Sequence, residues 1–278
     1  MPLGPVKLSV LGSGSSGNAV LVWVGETRIL VDAGFSGADL ARRLEHVGVG
    51  PDEIHAIVIT HDHGDHTRGM GVFARRFGTP LYMTKATRAA SARLLRGGET
   101  VRAYRPGRPF EVGEIRVEPF ITVHDAADPV GVAVVDPRTG LRLGVATDLG
   151  RPTAQIRHAL SGCHVLILEA NHDAVLLHES DYPVSVKRRI ASSHGHLSNE
   201  AAATFALELL HEDLVGIILA HLSDRCNRPD LARRVVGDAL KQSGWRGHLD
   251  VAGQDAPTPL LDVVRLLARR RPSQLELL

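Results

Sequence analysis

Cysteine is almost missing from this 278-residue chain, which has only 2. Cys163 and Cys226 cannot form the framework of a disulfide-stapled secreted domain, and so sparse a pair points to the cytoplasm. No apolar run approaches the roughly 18 residues needed to cross a bilayer. The opening Met1-Pro2-Leu3-Gly4-Pro5-Val6-Lys7 lacks the charged start and apolar stretch of a signal peptide. An excess of one charge is also lacking. With 32 Lys and Arg against 31 Asp and Glu, the formal net charge is +1, so the overall balance gives no strong pull towards nucleic acid or membrane. There is no low-complexity tract, fixed short repeat or recognisable linker. The 44% hydrophobic content suffices for a sizeable core, and the 23% charged content is that of an ordinary soluble domain. Histidine is the unusual component, with 15 copies, and their placement carries the information.

Short β-rich runs alternate with helical patterns in two successive halves. Runs at 6–11, 19–24 and 28–31 read as strands, followed by a helix at 36–47 with Ser36 at its N-cap. A strand at 54–60, a helix at 71–77, a strand at 81–83 and a helix at 87–95 complete the first half. The second half offers strands at 115–123, 130–135, 141–147, 165–168 and 214–220. Asp136-Pro137-Arg138-Thr139-Gly140 is a turn. Helices are expected at 199–210, with Ser198 at the N-cap, and at 231–240. A last helix at 260–271 ends in Arg269-Arg270-Arg271, cations that suit a helix C-terminus. This alternation predicts two packed sheets with helices outside, in one domain spanning 1–278, rather than a purely parallel doubly wound sheet.

Thr60-His61-Asp62-His63-Gly64-Asp65-His66 directly follows the apolar 54–60 strand. Three histidines and two aspartates in one tight loop would repel when protonated and would be costly if buried unpaired. A divalent cation removes both difficulties, because neutral imidazoles and carboxylates are its natural ligands. On an extended segment His61 and His63 point the same way and can reach one ion. Asp65 and His66 can then turn towards a second.

His-x-His-x-Asp-His after a strand resembles the signature of the metallo-β-lactamase fold hydrolases. The further motifs of that superfamily occur in order. Asp32 in Val31-Asp32-Ala33-Gly34 resembles its strand-end aspartate, which orients the ligand loop. His124 in Val123-His124-Asp125 resembles its third-motif histidine, Asp148 in Thr147-Asp148-Leu149 its metal-bridging aspartate, and His221 in Ala220-His221-Leu222 its last histidine ligand. The resemblance spans nearly the whole chain. It implies a four-layer αββα sandwich with two mixed sheets and two divalent metal ions. One ion would take His61, His63, His124 and Asp148, and the other Asp65, His66, Asp148 and His221. A bridging hydroxide would be the nucleophile. Nitrogen and oxygen donors alone suit zinc or manganese. His46, His55, His158, His164, His178, His211 and His248 have no comparable context.

Two further segments bear on the substrate. Leu168-Glu169-Ala170-Asn171-His172 and Ser193-His194-Gly195-His196-Leu197-Ser198 resemble motifs of ribonuclease Z-like phosphodiesterases. By that resemblance His196 is the general acid and Glu169 its partner, with Asp65 joining them in the catalytic set. The alternative is that Gly195-His196 merely begins the following helix. A sugar oxygen is a poor leaving group, so a positioned acid is worth about 10²–10⁴-fold in rate.

Leu11-Gly12-Ser13-Gly14-Ser15-Ser16-Gly17-Asn18, His124-Asp125, Pro129-Val130-Gly131, Glu169-Ala170-Asn171 and Gly195-His196-Leu197-Ser198-Asn199 look like the YycJ/WalJ-like branch. That likeness implies 5′ to 3′ exonuclease action on DNA, more than on RNA, in the service of repair. The interval from Asp148 to His221 is too short for a β-CASP-type insertion, and no glycine-rich tRNA-clamping arm is present.

The Ser13 to Asn18 loop either cradles a phosphate through its amides or is a tight turn, and it lacks the Gly-Lys-Ser/Thr ending of a P-loop. Lys187-Arg188-Arg189, like Arg102, Arg105 and Arg108, either lines the mouth of a site or is simply solvated. The competing enzyme class is a small-molecule hydrolase, a lactonase or thioesterase, with no need of an acid at His196. A non-catalytic binding protein on the same fold could dispense with ligands that are all present here.

Overall fold

Branched and apolar side chains alternate along the first strands, and this period of two sets the architecture. The computed structural model describes residues 4–270. Strands β1 (Val6–Gly12), β2 (Ala19–Val24) and β3 (Thr27–Val31) form an antiparallel meander. Parallel pairing then adds β4 (Ala56–Val58), β5 (Leu81–Met83) and β6 (Val101–Ala103).

The second sheet opens with antiparallel β7 (Phe110–Val112), β8 (Ile115–Ile121), β9 (Val130–Val135) and β10 (Arg142–Ala146). It continues in parallel through β11 (Val165–Glu169), β12 (Gly216–Ala220) and β13 (His248–Val251). A two-residue β14 (Leu261–Asp262) returns to pair with β1, so each sheet has seven strands.

Helices cover the outer faces and flank the ends and edges of the sheets. They are α1 (Gly37–His46), α2 (Gly64–Thr67), α3 (Met70–Phe77), α4 (Lys85–Ala90), α5 (Ala154–Leu160), α6 (Ala174–Glu179), α7 (Val184–Ile190), α8 (Asn199–Glu208), α9 (Pro229–Gln242) and α10 (Val263–Arg270). The cores show the layering. One face of the first sheet presents Leu8, Val20, Val22, Ile29 and Val31, which meet Val117, Val132, Val134, Val145 and Ile167 between the sheets. Leu21, Leu30 and Ile57 face the other way, onto Leu40, Leu44, Met70 and Phe73 of α1 and α3. Leu166, Leu168, Ile217 and Leu219 pack on Ile156, Phe205 and Val236 of α5, α8 and α9. Each such fully buried side chain contributes about 1.5–3 kcal/mol, so three contiguous clusters outweigh the weak propensity of any short strand. The result is the expected α/β sandwich of helix, sheet, sheet and helix.

The N-caps at Ser36 and Ser198 are as expected, accepting from Asp39 N and Ala201 N at 3.2 Å each. Several boundaries differ. The 54–60 run is a strand only at Ala56–Val58, because the chain then turns to deliver the histidine loop. The 87–95 helix starts earlier, at Lys85, and gives way to a 3₁₀ turn at Ala92–Leu94. The 260–271 run begins as β14 and becomes helical only at Val263, where it has already paired with β1. Arg271 lies outside the described residues. Elements α2, α5, α6, α7, β6, β7 and β13 add to the expected set.

The topology concentrates strand ends. β8 and β10 both run antiparallel to β9, so β8 shares the direction of β10, β11 and β12. The carboxyl ends of β3 and β4 meet the carboxyl ends of β8, β10, β11 and β12, the usual place for a site in such sheets.

Candidate metal centre

Among the described residues, the non-glycine residues at positive φ are Asp32 (66°), Asp128 (49°), Asp148 (59°) and His221 (56°). Three of these follow β3, β10 and β12. A left-handed conformation costs an ordinary residue of order 1–3 kcal/mol and persists where the surroundings fix it. Here it turns each side chain out of its strand and into the space between the sheet ends.

Asp32 orders the histidine loop. Its Oδ1 accepts from Thr60 N at 2.8 Å, and its Oδ2 accepts from His66 Nδ1 at 2.7 Å. The Thr60 hydroxyl lies 2.9 Å from Oδ2 of Asp32 and 3.0 Å from His61 Nδ1. With that hydroxyl donating to Asp32, His61 donates to Thr60 through Nδ1. The Nε2 atoms of both rings are therefore left as lone pairs. His124 Nδ1 donates to Gly195 O at 3.1 Å and His221 Nδ1 to Glu169 Oε1 at 3.0 Å, which leaves their Nε2 atoms in the same state. Gly34 permits the packing of this loop, since a Cβ there would lie 1.6 Å from Asp65 O.

These lone pairs converge. His124 Nε2 lies 3.3 Å from His63 Nδ1 and 3.5 Å from Asp148 Oδ1. His66 Nε2 lies 3.2 Å from Asp148 Oδ2 and 3.4 Å from Asp65 Oδ2, and His221 Nε2 lies 3.3 Å from Asp65 Oδ2. His61 Nε2 and Asp148 Oδ2 are buried without a hydrogen-bond partner. Acceptors that face one another in a buried space need a cation between them. His61–His63–His124 and Asp65–His66–His221 each bring ligand atoms close enough for one ion, and Asp148 adjoins both groups. An all nitrogen and oxygen donor set of this kind fits a divalent metal.

The electrostatics show the cluster's demand for positive charge, which protons on His66 and His221 meet until a metal displaces them. Burial lowers His61 well below the ordinary imidazole range, and neighbouring His66 adds to it. Burial would lower His66 and His221 as well, but the Asp148 carboxylate and other acidic partners overcome it. His66 is raised well above the ordinary range and His221 to about 10. Burial opposes ionisation of Asp148, yet His221, His66 and His61 hold it well below the carboxylate range.

Glu169, the last residue of β11, stands behind this cluster and is 0% exposed. Its carboxylate accepts from Asp148 N at 3.2 Å and from Leu149 N and Leu197 N at 3.0 Å each. It also accepts from His196 Nδ1 at 2.8 Å. Burial works against its charge, but His196 and His221 outweigh burial and push it down to about 2. With its oxygens so occupied, Glu169 acts as an anchor that aims two imidazoles. His196 lines the pocket above the cluster, together with Asp65, Asp148 and His221.

The glycine-rich loop is the turn that joins antiparallel β1 and β2, and its side chains also brace the site. Ser13 Oγ donates to Asn18 Oδ1 at 2.8 Å and accepts from His221 N at 2.8 Å. Asn18 Nδ2 donates to Asp65 Oδ2 at 3.1 Å, and Asn18 N donates to Asp65 O at 2.8 Å. The loop thus ties Asp65 to His221. Asn18, Thr60 and Asn171, whose Nδ2 donates to His221 O at 2.8 Å, are site residues that sequence reasoning missed. Asp62 lies apart from the cluster and accepts from Ala127 N at 2.8 Å.

The basic run divides. Arg189 lines the pocket and bonds Asp125 Oδ2 through Nε at 2.5 Å. Lys187 and Arg188 face another groove, between α6 and α7, because they fall on the other side of α7. Lys187 Nζ donates to His178 O at 2.6 Å. Arg102, on β6, bonds the Tyr82 hydroxyl at 2.9 Å away from the pocket, and Arg105 and Arg108 do not line it. His55 and His211 make backbone hydrogen bonds elsewhere.

Two sheets between helix layers, with a histidine and carboxylate cluster at their shared strand ends, define a metal-binding αββα hydrolase. Residues 27–217 match the family described as the beta-lactamase superfamily domain. The chain is 35% identical over 242 residues to the exodeoxyribonuclease YycJ of Bacillus anthracis, covering 86% of this chain and 91% of that protein. It is 32% identical over 266 residues to the exodeoxyribonuclease WalJ of Streptococcus pneumoniae, covering 92% and 98%. The crystal structure of the metallo-β-lactamase fold protein YhfI from Bacillus subtilis superposes with a TM-score of 0.69 at 19% identity, covering 91% of this chain and 99% of that one. The chain belongs to the β-lactamase superfamily and, within it, to the family of YycJ and WalJ. It is a hydrolase of that superfamily, and no helix among the described residues is long and apolar enough to cross a membrane.

Proposed function

We propose that this enzyme is a dinuclear metal-dependent phosphodiesterase that degrades DNA as a 5′ to 3′ exonuclease in the cytoplasm, in the service of repair. The carrying observation is the shared anchor. One buried carboxylate, Glu169, holds both His221 of the metal cluster and His196 of the pocket. A pocket histidine so fixed is what hydrolysis with a poor leaving group requires. The names of the YycJ and WalJ relatives support DNA as substrate and an exonucleolytic action. The core shared between the two sheets supports reading 1–278 as one hydrolase domain.

His61, His63, His124 and Asp148 would hold one ion, and Asp65, His66, Asp148 and His221 the other, zinc or manganese. When bound, two such ions supply Lewis acidity that lowers the pKa of water to about 7 and polarises a phosphoryl oxygen. Asp65 lines the pocket and is held by Asn18, so it orients the attacking water. The water oxygen, its proton released to solvent, bonds to phosphorus as the bond from phosphorus to the sugar oxygen breaks. His196 gives that oxygen a proton from Nε2 while Nδ1–H stays on Glu169.

The test is a substrate panel under zinc and then manganese: duplex DNA labelled at its 5′ or 3′ end, RNA, a lactone and a thioester. Mononucleotide release beginning at the 5′ label is expected. Turnover of the lactone or thioester alone would overturn the reading.

A further inference from the structure

The pocket above the metal cluster has two unlike sides. One carries His63, Asp65, Asp148, His196 and His221. The other is built by α7 and the residues before it. Val186 and Ile190 are four apart on one helical face, with Arg189 beside them and Tyr182 just ahead of the helix. This wall is fixed to the catalytic segment, since His196 N donates to Ile190 O at 2.9 Å and a Cβ on Gly195 would lie 2.2 Å from that same oxygen.

Hydrolysis of a phosphodiester does not need an apolar wall or a phenol. Among the described residues, Tyr182 is the one Phe, Tyr or Trp side chain lining the pocket. It is half-buried, and the Arg225 guanidinium sits 5.4 Å from its ring centroid. The Arg189 side chain is 66% exposed, and its partner Asp125 is 33% exposed. An exposed ion pair is worth little, so Arg189 can exchange Asp125 for another anion at small cost. A flat ring beside apolar side chains, with an exposed cation at the rim, matches a nucleoside joined to a phosphate.

We infer that Tyr182, Val186 and Ile190 form a subsite for the nucleobase flanking the scissile phosphate, with Arg189 as a phosphate contact. This rests on the phosphodiesterase reading and names the group that its substrate places beside the reacting bond. The subsite is indifferent to base identity, because every base has a face to stack.

The test is calorimetric binding to the zinc-loaded full chain, with thymidine 5′-monophosphate and 2-deoxyribose 5-phosphate as probes. The base should tighten binding by about 5- to 150-fold, the worth of one aromatic stack. Tyr182→Ala should abolish that difference and Tyr182→Phe keep it. Arg189→Ala should weaken both probes alike. Equal affinity for the two probes, or a difference that survives Tyr182→Ala, overturns the base subsite. Unchanged binding of both probes in Arg189→Ala overturns the phosphate contact. Because hydrolysis is not measured, absence of nuclease activity would leave these outcomes readable and would count against the function alone.

Discussion

Nδ1 of His196 lies 2.8 Å from Oε1 of Glu169. The bond fixes the ring and leaves Nε2 as the nitrogen available to the pocket that His196 lines. His196→Ala should keep its metal and lose about 10²- to 10⁴-fold in kcat on DNA. The loss should shrink on a p-nitrophenyl phosphodiester, whose leaving group needs no proton. Metal analysis of the purified variant, with kcat on both substrates, checks this. Metal loss would make His196 a ligand instead.

Glu169 is a positioning residue, and its removal should reach both histidines. In Glu169→Gln one accepting oxygen becomes an NH₂ that faces N–H donors. Metal affinity should weaken about 10- to 100-fold, as for other groups that orient metal-ligating histidines. Competition with a chromophoric chelator measures it. Unaltered affinity alongside reduced turnover would confine Glu169 to His196.

The facing lone pairs and carboxylates make the cluster costly without a cation. Stripping the enzyme with a chelator should lower Tm by about 5–10 °C, and excess zinc should restore it. Calorimetric scans with and without metal give the shift. An identical Tm in both states would mean that the cluster binds no ion tightly.

A stability prediction comes from the β9–β10 turn, where the Asp136 side chain is 0% exposed. Burial opposes its charge, but Arg138 and Thr139 bond it and hold it below its ordinary value of 3.8. A depressed folded-state value stabilises the fold above that ordinary value, and the contribution is lost as pH falls through the depressed one. Asp136→Asn should cost about 1–2 kcal/mol at pH 7, with the gap from the native chain closing below about pH 4. Denaturant midpoints across pH test it, and a gap that persists at low pH would contradict it.

The histidine loop was legible because its donors are neighbours in sequence. His61, His63, Asp65 and His66 announce a cation within one turn of chain. Asp32, His124, Asp148 and His221 could be placed only through the order of motifs, and the structure brings them together because parallel strands align their carboxyl ends. Asn18 had no local signal. Its partner Asp65 lies far along the chain, and a serine- and glycine-rich loop reads equally as turn or phosphate cradle. Strands β6 and β13 escaped because each has only three or four residues and carries polar side chains at an edge position, where pairing rather than alternation defines it. Helices α6 and α7 are too short to show a clear period, which is why the wall formed by Tyr182, Val186 and Ile190 emerged only from the structure.

The most direct measurement follows mononucleotide release from uniformly labelled duplex DNA by the native enzyme and by Asp148→Ala, with the metal content of each determined on the same preparations. Two ions per native chain with nucleotide release are expected, alongside the loss of at least one ion and of release in Asp148→Ala. Release by a chain holding no metal, or undiminished release by Asp148→Ala, would contradict a dinuclear phosphodiesterase.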